Sequence, residues 1–191
     1  MEISSQSVSR SCLTSGVVRI RAVARKALSA VLFCLILLVA AQANAEALPP
    51  IPDKEPALII RGQLEYTNVG DEIHLDLDWI KALPSEMFTT NTPWADGKQE
   101  FVGVRISVMF DALGITAKSF SAIGLDGYKA DVEVDWDKYP VMIAYQHNGS
   151  DISIRRLGPL RIVYPFDEYP ELMTDFNVTS AVWQLTHIEL F

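Results

Sequence analysis

Apolar positions along the chain follow two patterns, one continuous and one alternating. The continuous pattern lies at the start, where residues 26–41 read Lys-Ala-Leu-Ser-Ala-Val-Leu-Phe-Cys-Leu-Ile-Leu-Leu-Val-Ala-Ala. Arg19, Arg21 and Arg25 precede this run, and Ala43-Asn44-Ala45 follows it. A basic segment, a short apolar core and small residues at the minus-three and minus-one places predict an export signal over residues 1–45, cut after Ala45. A membrane-spanning helix needs roughly 20 apolar residues, and polar Gln42 and Asn44 interrupt this core sooner. Cys34 follows bulky Phe33 inside the core, which is not the small-residue setting of a lipid-modified cysteine. The expectation is a periplasmic or secreted protein that begins near Glu46.

Residues 46–56 carry Pro49, Pro50, Pro52 and Pro56 and little to bury, so they predict an extended lead-in. From Ala57 onward short β-like runs alternate with turn signals. Residues 57–66 and 72–75 read as strands, with Gly70-Asp71 closing the turn between them. Asp76 predicts the cap of a short helix over residues 77–83, and Pro84 ends it. Ile106, Met109, Phe110 and Leu113 stand at helical spacing with Gly114 after them, which predicts a second helix and its C-terminal stop. Asp126-Gly127 and Asn148-Gly149 are hairpin signals. The second of these joins runs at 141–146 and 152–155, and further strands are expected at 160–164, stopped by Pro165, and at 182–190. Many strands and two short helices make one β-rich α+β domain over residues 57–191.

Charge and cysteine usage narrow the chemistry. Cys12 and Cys34 both precede Ala45, so residues 46–191 offer neither a disulfide nor a thiolate. Those residues keep eleven Lys and Arg against twenty-three Asp and Glu, a net of −12 where the full chain carries −8. Such a field repels phosphate backbones and anionic lipid, so nucleic acid and, after cleavage, the membrane are not expected partners. His74, His147 and His187 are dispersed and have no neighbours at zinc-site spacing, so no metal is expected on them. Asp131, Glu133, Asp135 and Asp137 recur at period two, which predicts the solvated edge of a sheet. No nucleophile elbow, phosphate-binding Gly-rich loop or His-Glu-x-x-His helix occurs after residue 45.

Two stretches are unusually dense in aromatic and polar residues. One is Phe88-Thr89-Thr90-Asn91-Thr92-Pro93-Trp94-Ala95-Asp96-Gly97, leading to Phe101-Val102-Gly103-Val104. The other runs from Arg155-Arg156 through Gly158-Pro159-Leu160-Arg161-Ile162-Val163-Tyr164-Pro165 to Phe166-Asp167-Glu168-Tyr169-Pro170-Glu171. With a closing Trp183-Gln184-Leu185-Thr186-His187-Ile188, these segments resemble the molybdopterin-binding domain of the sulfite oxidase family, in particular its small exported single-domain members. The resemblance spans about residues 57–190. It implies an α+β fold of layered sheets, and molybdopterin as the family's cofactor.

The resemblance also marks where this chain departs from an enzyme. The family's metal-ligating cysteine, in an Arg-Cys pair, falls on Thr90, with Thr89 in the arginine place. A neutral hydroxyl is a poor substitute for a soft thiolate. Past Pro165, where the resemblance implies basic residues for the pterin phosphate, the chain has Asp167, Glu168 and Glu171. Carboxylates there repel a phosphate, whereas Arg155 and Arg156 could clamp it from the other side. The expected pocket comprises Thr90, Trp94, Arg155, Arg156, Tyr164 and Tyr169, with no catalytic residue, no metal and no bound cofactor. Thr90 should lie in a concavity beside Trp94, walled by the Tyr164–Tyr169 loop and acidic enough to favour a neutral or cationic occupant. The expected function is noncatalytic, either binding a small ligand or docking a periplasmic sensor protein. Two alternatives stand beside it. One is an active oxidoreductase in which the cofactor's dithiolene, with Thr90 or water, completes the metal's ligands. The other is an interaction protein using surface strands alone.

Overall fold

The computed structural model describes residues 49–191. The expected export signal over residues 1–45 lies outside them, and the lead-in is described from Pro49. Asn68 fixes that lead-in, its side-chain amide donating to the carbonyls of Pro49 and Pro50, each at 3.2 Å.

Among the described residues, ten strands form two sheets. The first has the order β2-β1-β10-β5-β6, built from β1 (Leu58–Arg61), β2 (Ile73–Leu75), β5 (Phe120–Gly124), β6 (Lys129–Val132) and β10 (Leu185–Leu190). The β1–β10 pair is parallel and the others are antiparallel. The second sheet contains β3 (Glu86–Thr92), β4 (Ala95–Arg105), β7 (Met142–His147) and β8 (Ser150–Asp151) in that order, and β9 (Arg161–Val163) also pairs with β7. Leu58, Ile60, Ile73, Leu75 and Ile188 of the first sheet join Val104, Ile143, Tyr145 and Ile162 of the second in one core, filled further by Ile106, Met109 and Phe110. Roughly 1.5–3 kcal/mol for each such side chain makes this burial the main stabilising term. This is the β-rich α+β arrangement that the sequence predicts.

Both expected helices form. Asp76 caps α1 (Leu77–Ala82) by accepting the Trp79 N–H at 2.6 Å. At the end of α2 (Ile106–Ala112), Gly114 takes φ +66 and the N–H of Ile115 returns to the Phe110 carbonyl at 2.8 Å, a left-handed stop that glycine adopts without strain.

The structure corrects four expectations. The 57–66 strand stops at Arg61, because Gly62 turns the chain at φ +118 against the Leu190 carbonyl. The 152–155 strand is replaced by a 3₁₀ turn at Ile154–Arg156, since Ile152 is buried against Phe101, Met142 and Val163 and Leu157 turns left-handed at φ +66. Arg155 and Arg156 therefore leave the sheet. Of the four period-two acids only Asp131 lies on a strand: it is on the sheet-edge strand β6, accepting from Ser121 Oγ at 2.6 Å. A third helix, α3 (Asp175–Ser180), capped by Thr174 accepting the Asn177 N–H at 3.2 Å, has no counterpart in the sequence reading.

Candidate functional site

The second sheet turns one face to the core and carries a smaller cluster, Phe101, Met142, Ala144, Ile152 and Val163 with Phe88, on the other. Strand alternation decides which side chains share that outer face. Thr90 pairs with Gln99 and Phe88 with Phe101, so Thr90 and Gln99 lie on it. Arg161 pairs with Ala144 and Val163 with Met142, which places Arg161 there too, while Ile162 points into the core.

His147 joins them because of a bulge. Gly103 pairs with Ala144 and Val102 with Gln146, leaving Tyr145 as an extra residue in β7. The extra residue reverses the parity of the strand end, so His147 pairs with Phe101 and stacks on it with ring centroids 4.8 Å apart and planes 9° apart. Its Nε2 lies 2.9 Å from Gln99 Oε1. Burial first, then the charges of Arg161 and Arg156, lower the pKa of His147 below the ordinary imidazole value.

Arg161 is the centre of this group. The residue is only 7% exposed, and its guanidinium sits between Phe101 at 5.1 Å and Trp183 at 4.7 Å. Its Nε is buried without a hydrogen-bond partner, and no carboxylate among the described residues pairs with it. Burial pushes its pKa down to about 10, so it is still a cation at neutral pH. A buried cation costs several kcal/mol unless an anion meets it, and here the stacked rings are the compensation on hand.

Thr90 has the opposite character. It is 0% exposed, its hydroxyl accepts the Asp167 N–H at 3.1 Å and donates to the Asn91 carbonyl at 3.2 Å. The loop after Tyr164 does approach Thr90, but it closes over the hydroxyl instead of forming the wall of a cavity. Asp167 itself is held by the Asn91 amide at 3.0 Å and by Lys98 at 3.3 Å. The Asn91 side chain and backbone, with Lys98, keep its pKa below the usual carboxylate value.

The other expected pocket residues scatter. Trp94 occupies the tight turn between β3 and β4 and meets Trp183 edge to face at 5.2 Å. It lines a cleft of about 400 Å³ with Trp183, Tyr128, Leu157, Asp126 and Gln184, which Thr90 does not reach. Arg155 and Arg156 are exposed on their 3₁₀ turn. Tyr164 is a core residue, bonded to Ser180 Oγ at 2.6 Å with its pKa pushed up to about 12 by burial, so it cannot face a ligand. Tyr169 packs edge to face on Tyr139 at 5.1 Å. The acidic wall expected at Asp167 and Glu168 is exposed, and the charge inside the site is the Arg161 cation.

Sequence reasoning missed Arg161, His147, Gln99 and Trp183. A signal for Arg161 was present: it is the lone charge in Leu160–Tyr164, and alternation puts it with Val163 on a face that is otherwise apolar. His147 carried none, since its face depends on the bulge.

These residues suit the two ends of a molybdenum cofactor unequally. A metal would find a hydroxyl already engaged on both sides, and among the described residues no three His, Cys, Asp or Glu side chains gather to hold one. An anionic group would find Arg161. The metal centre does not fit. No curated protein matches the chain. A family model described as the oxidoreductase molybdopterin binding domain matches residues 67–167, a segment that carries Thr90, Trp94, His147 and Arg161. With that match covering more than half of its length, the chain belongs to the oxidoreductase molybdopterin-binding domain family.

Proposed function

We propose that this chain is an exported, noncatalytic member of its family that binds a small oxyanion on the outer face of its second sheet. The observation that carries the reading is Arg161, a buried cation with an orphaned Nε and no carboxylate partner among the described residues. Its two flanking rings hold the guanidinium plane still, so little side-chain freedom is lost when an anion arrives. Gln99 and His147 stand on the same face but are engaged with their surroundings, His147 Nε2 with Gln99 Oε1 and the Gln99 amide with the carbonyls of Asp96 and Gly97, so the recognition rests on Arg161. The occupant is thus anionic, not the neutral or cationic one expected from Asp167 and Glu168.

The rival reading, a working oxidoreductase without the cysteine, would require Thr90 to give up both of its hydrogen bonds and the Asp167 loop to move away. Molybdenum content separates the two readings. Protein purified natively from a host that makes the cofactor should contain far less than one molybdenum per chain, and Thr90→Cys should leave it so, because the position stays covered. Calorimetric titration with inorganic phosphate and sulfate should detect binding that Arg161→Met abolishes. Near-stoichiometric molybdenum, or anion binding unchanged in Arg161→Met, would overturn the proposal.

A further inference from the structure

We infer that the cleft between Trp94 and Trp183 is a docking surface for an acidic protein partner, which inserts an apolar side chain flanked by carboxylates. Large apolar side chains left in water concentrate here. Trp94, Tyr128 and Leu157 line the cleft and are each more than a third exposed. Leu125 and Ile154, 58% and 61% exposed, stand at its edge, because Gln184 in the cleft wall accepts the Leu125 N–H at 2.9 Å and donates its amide to the Ile154 carbonyl at 3.1 Å. Contiguous apolar surface of this kind marks an interaction site more often than scattered exposed residues do.

The wall is also held in an uncommon backbone state. Leu157 and Gln184, neither of them glycine, take φ +66 and +49, and the Gln184 N–H locks to the Leu157 carbonyl at 3.0 Å. Tyr128 is tied to α3 through its hydroxyl and the Thr179 carbonyl at 2.9 Å. The apolar side chains are therefore presented on a fixed frame.

Charge selects the partner. Arg155 and Arg156 are exposed on the turn that carries Ile154, and neither joins an ion pair among the described residues, whereas Arg61, Lys81, Lys98, Arg105 and Lys129 all do. Two free arginines beside Trp and Tyr match the composition of binding hot spots and call for carboxylates opposite, while Asp126, the carboxylate that lines the cleft, accepts the Tyr128 N–H at 2.9 Å. A symmetric second copy would bring the same arginines face to face and be repelled. Arg161 does not line the cleft, but Trp183 borders both sites, so the two are told apart by Leu157, which lines the cleft and makes no contact named for the oxyanion site.

The test uses the chain from Glu46 to Phe191 and an acetylated, amidated hexapeptide, Glu-Asp-Phe-Leu-Asp-Glu, with the analogue carrying Lys at its four acidic places as control. Nitrogen–proton NMR should show the indole signals of Trp94 and Trp183 moving with the acidic peptide while those of Trp79 and Trp136 stay, and the lysine peptide should move none. Arg155→Glu and Leu157→Gly, the second of which keeps the left-handed backbone, should each weaken binding about tenfold. Phosphate binding in Leu157→Gly should be unchanged. No movement at Trp94 and Trp183, equal binding of the lysine peptide, or indifference to both substitutions would overturn the inference. So would concentration-dependent self-association that broadens the same signals, which would identify a second copy as the occupant.

Discussion

At the scale of single residues, stability and binding oppose each other at Arg161. Holding its pKa at about 10 instead of the usual 12.5 corresponds to about 3 kcal/mol against the charged form, offset in part by stacking on Phe101 and Trp183. Arg161→Met fills similar space without the charge, so it should raise the unfolding free energy by about 1–3 kcal/mol in phosphate-free buffer, read by urea denaturation. Added phosphate should raise the melting temperature of the unaltered protein and not of the variant. A loss of stability in Arg161→Met would mean that the guanidinium has a structural partner. His147 adds a pH dependence whose sign is fixed. Its folded pKa lies below the unfolded 6.5, so the unfolded state binds more protons between those values, and stability is lost as pH falls from 6.5 through the folded value. His187, lowered first by burial and then by Arg61, acts in the same direction. His147→Gln should therefore flatten part of the decline in denaturation midpoint below about pH 6.5, and saturating phosphate should shift the His147 titration upward.

At the scale of elements, the site depends on one strand irregularity and one close approach. The bulge at Tyr145 brings His147 onto the face of Phe101, and Gly103 opposite Ala144 lets β4 lie against β7. A Cβ at Gly103 would fall 2.3 Å from the Ile143 carbonyl oxygen and 2.6 Å from the Ala144 Cα, both backbone atoms that cannot step aside. Gly103→Ala should cost about 3 kcal/mol of stability and weaken phosphate binding with it, measured by urea denaturation and calorimetry on the same preparation. Native stability with binding intact would show that β4 can shift without carrying the site. The elements read correctly from the sequence are those with local signals: Asp76 before α1, helical spacing and Gly114 around α2, and the Asp-Gly turn between β5 and β6. The 3₁₀ turn at Ile154–Arg156 was not legible, because Ile152 is buried in the small cluster with Phe101 and Val163 and Gly158 passes within contact of its carbonyl.

At the scale of the whole molecule, the two sheets divide the work. The first supplies the core with one side of its packing, while the second has an outer, buried face on which Phe88, Phe101 and Val163 support the polar group around Arg161. Export is the remaining expectation at this scale. Protein recovered from the periplasm or medium should begin at Glu46, checked by N-terminal sequencing and intact mass; a chain that keeps residues 1–45 would instead be anchored or retained inside the cell.

The sequence by itself determined the family, the β-rich α+β class, the two capped helices and the absence of any cysteine after Cys34. All of these rest on signals carried within a few residues, or on identity at single positions such as Thr90. It also led correctly to the loop that contacts Thr90. Tertiary structure decided what that contact does: the loop seals the hydroxyl, Tyr164 turns into the core, and Arg155 and Arg156 leave the sheet for solvent. It also decided that Arg161, His147 and Gln99, far apart along the chain, share one face. Strand pairing and a single bulge set that face, and both depend on which distant strands meet, a choice made by core packing and not by any local pattern.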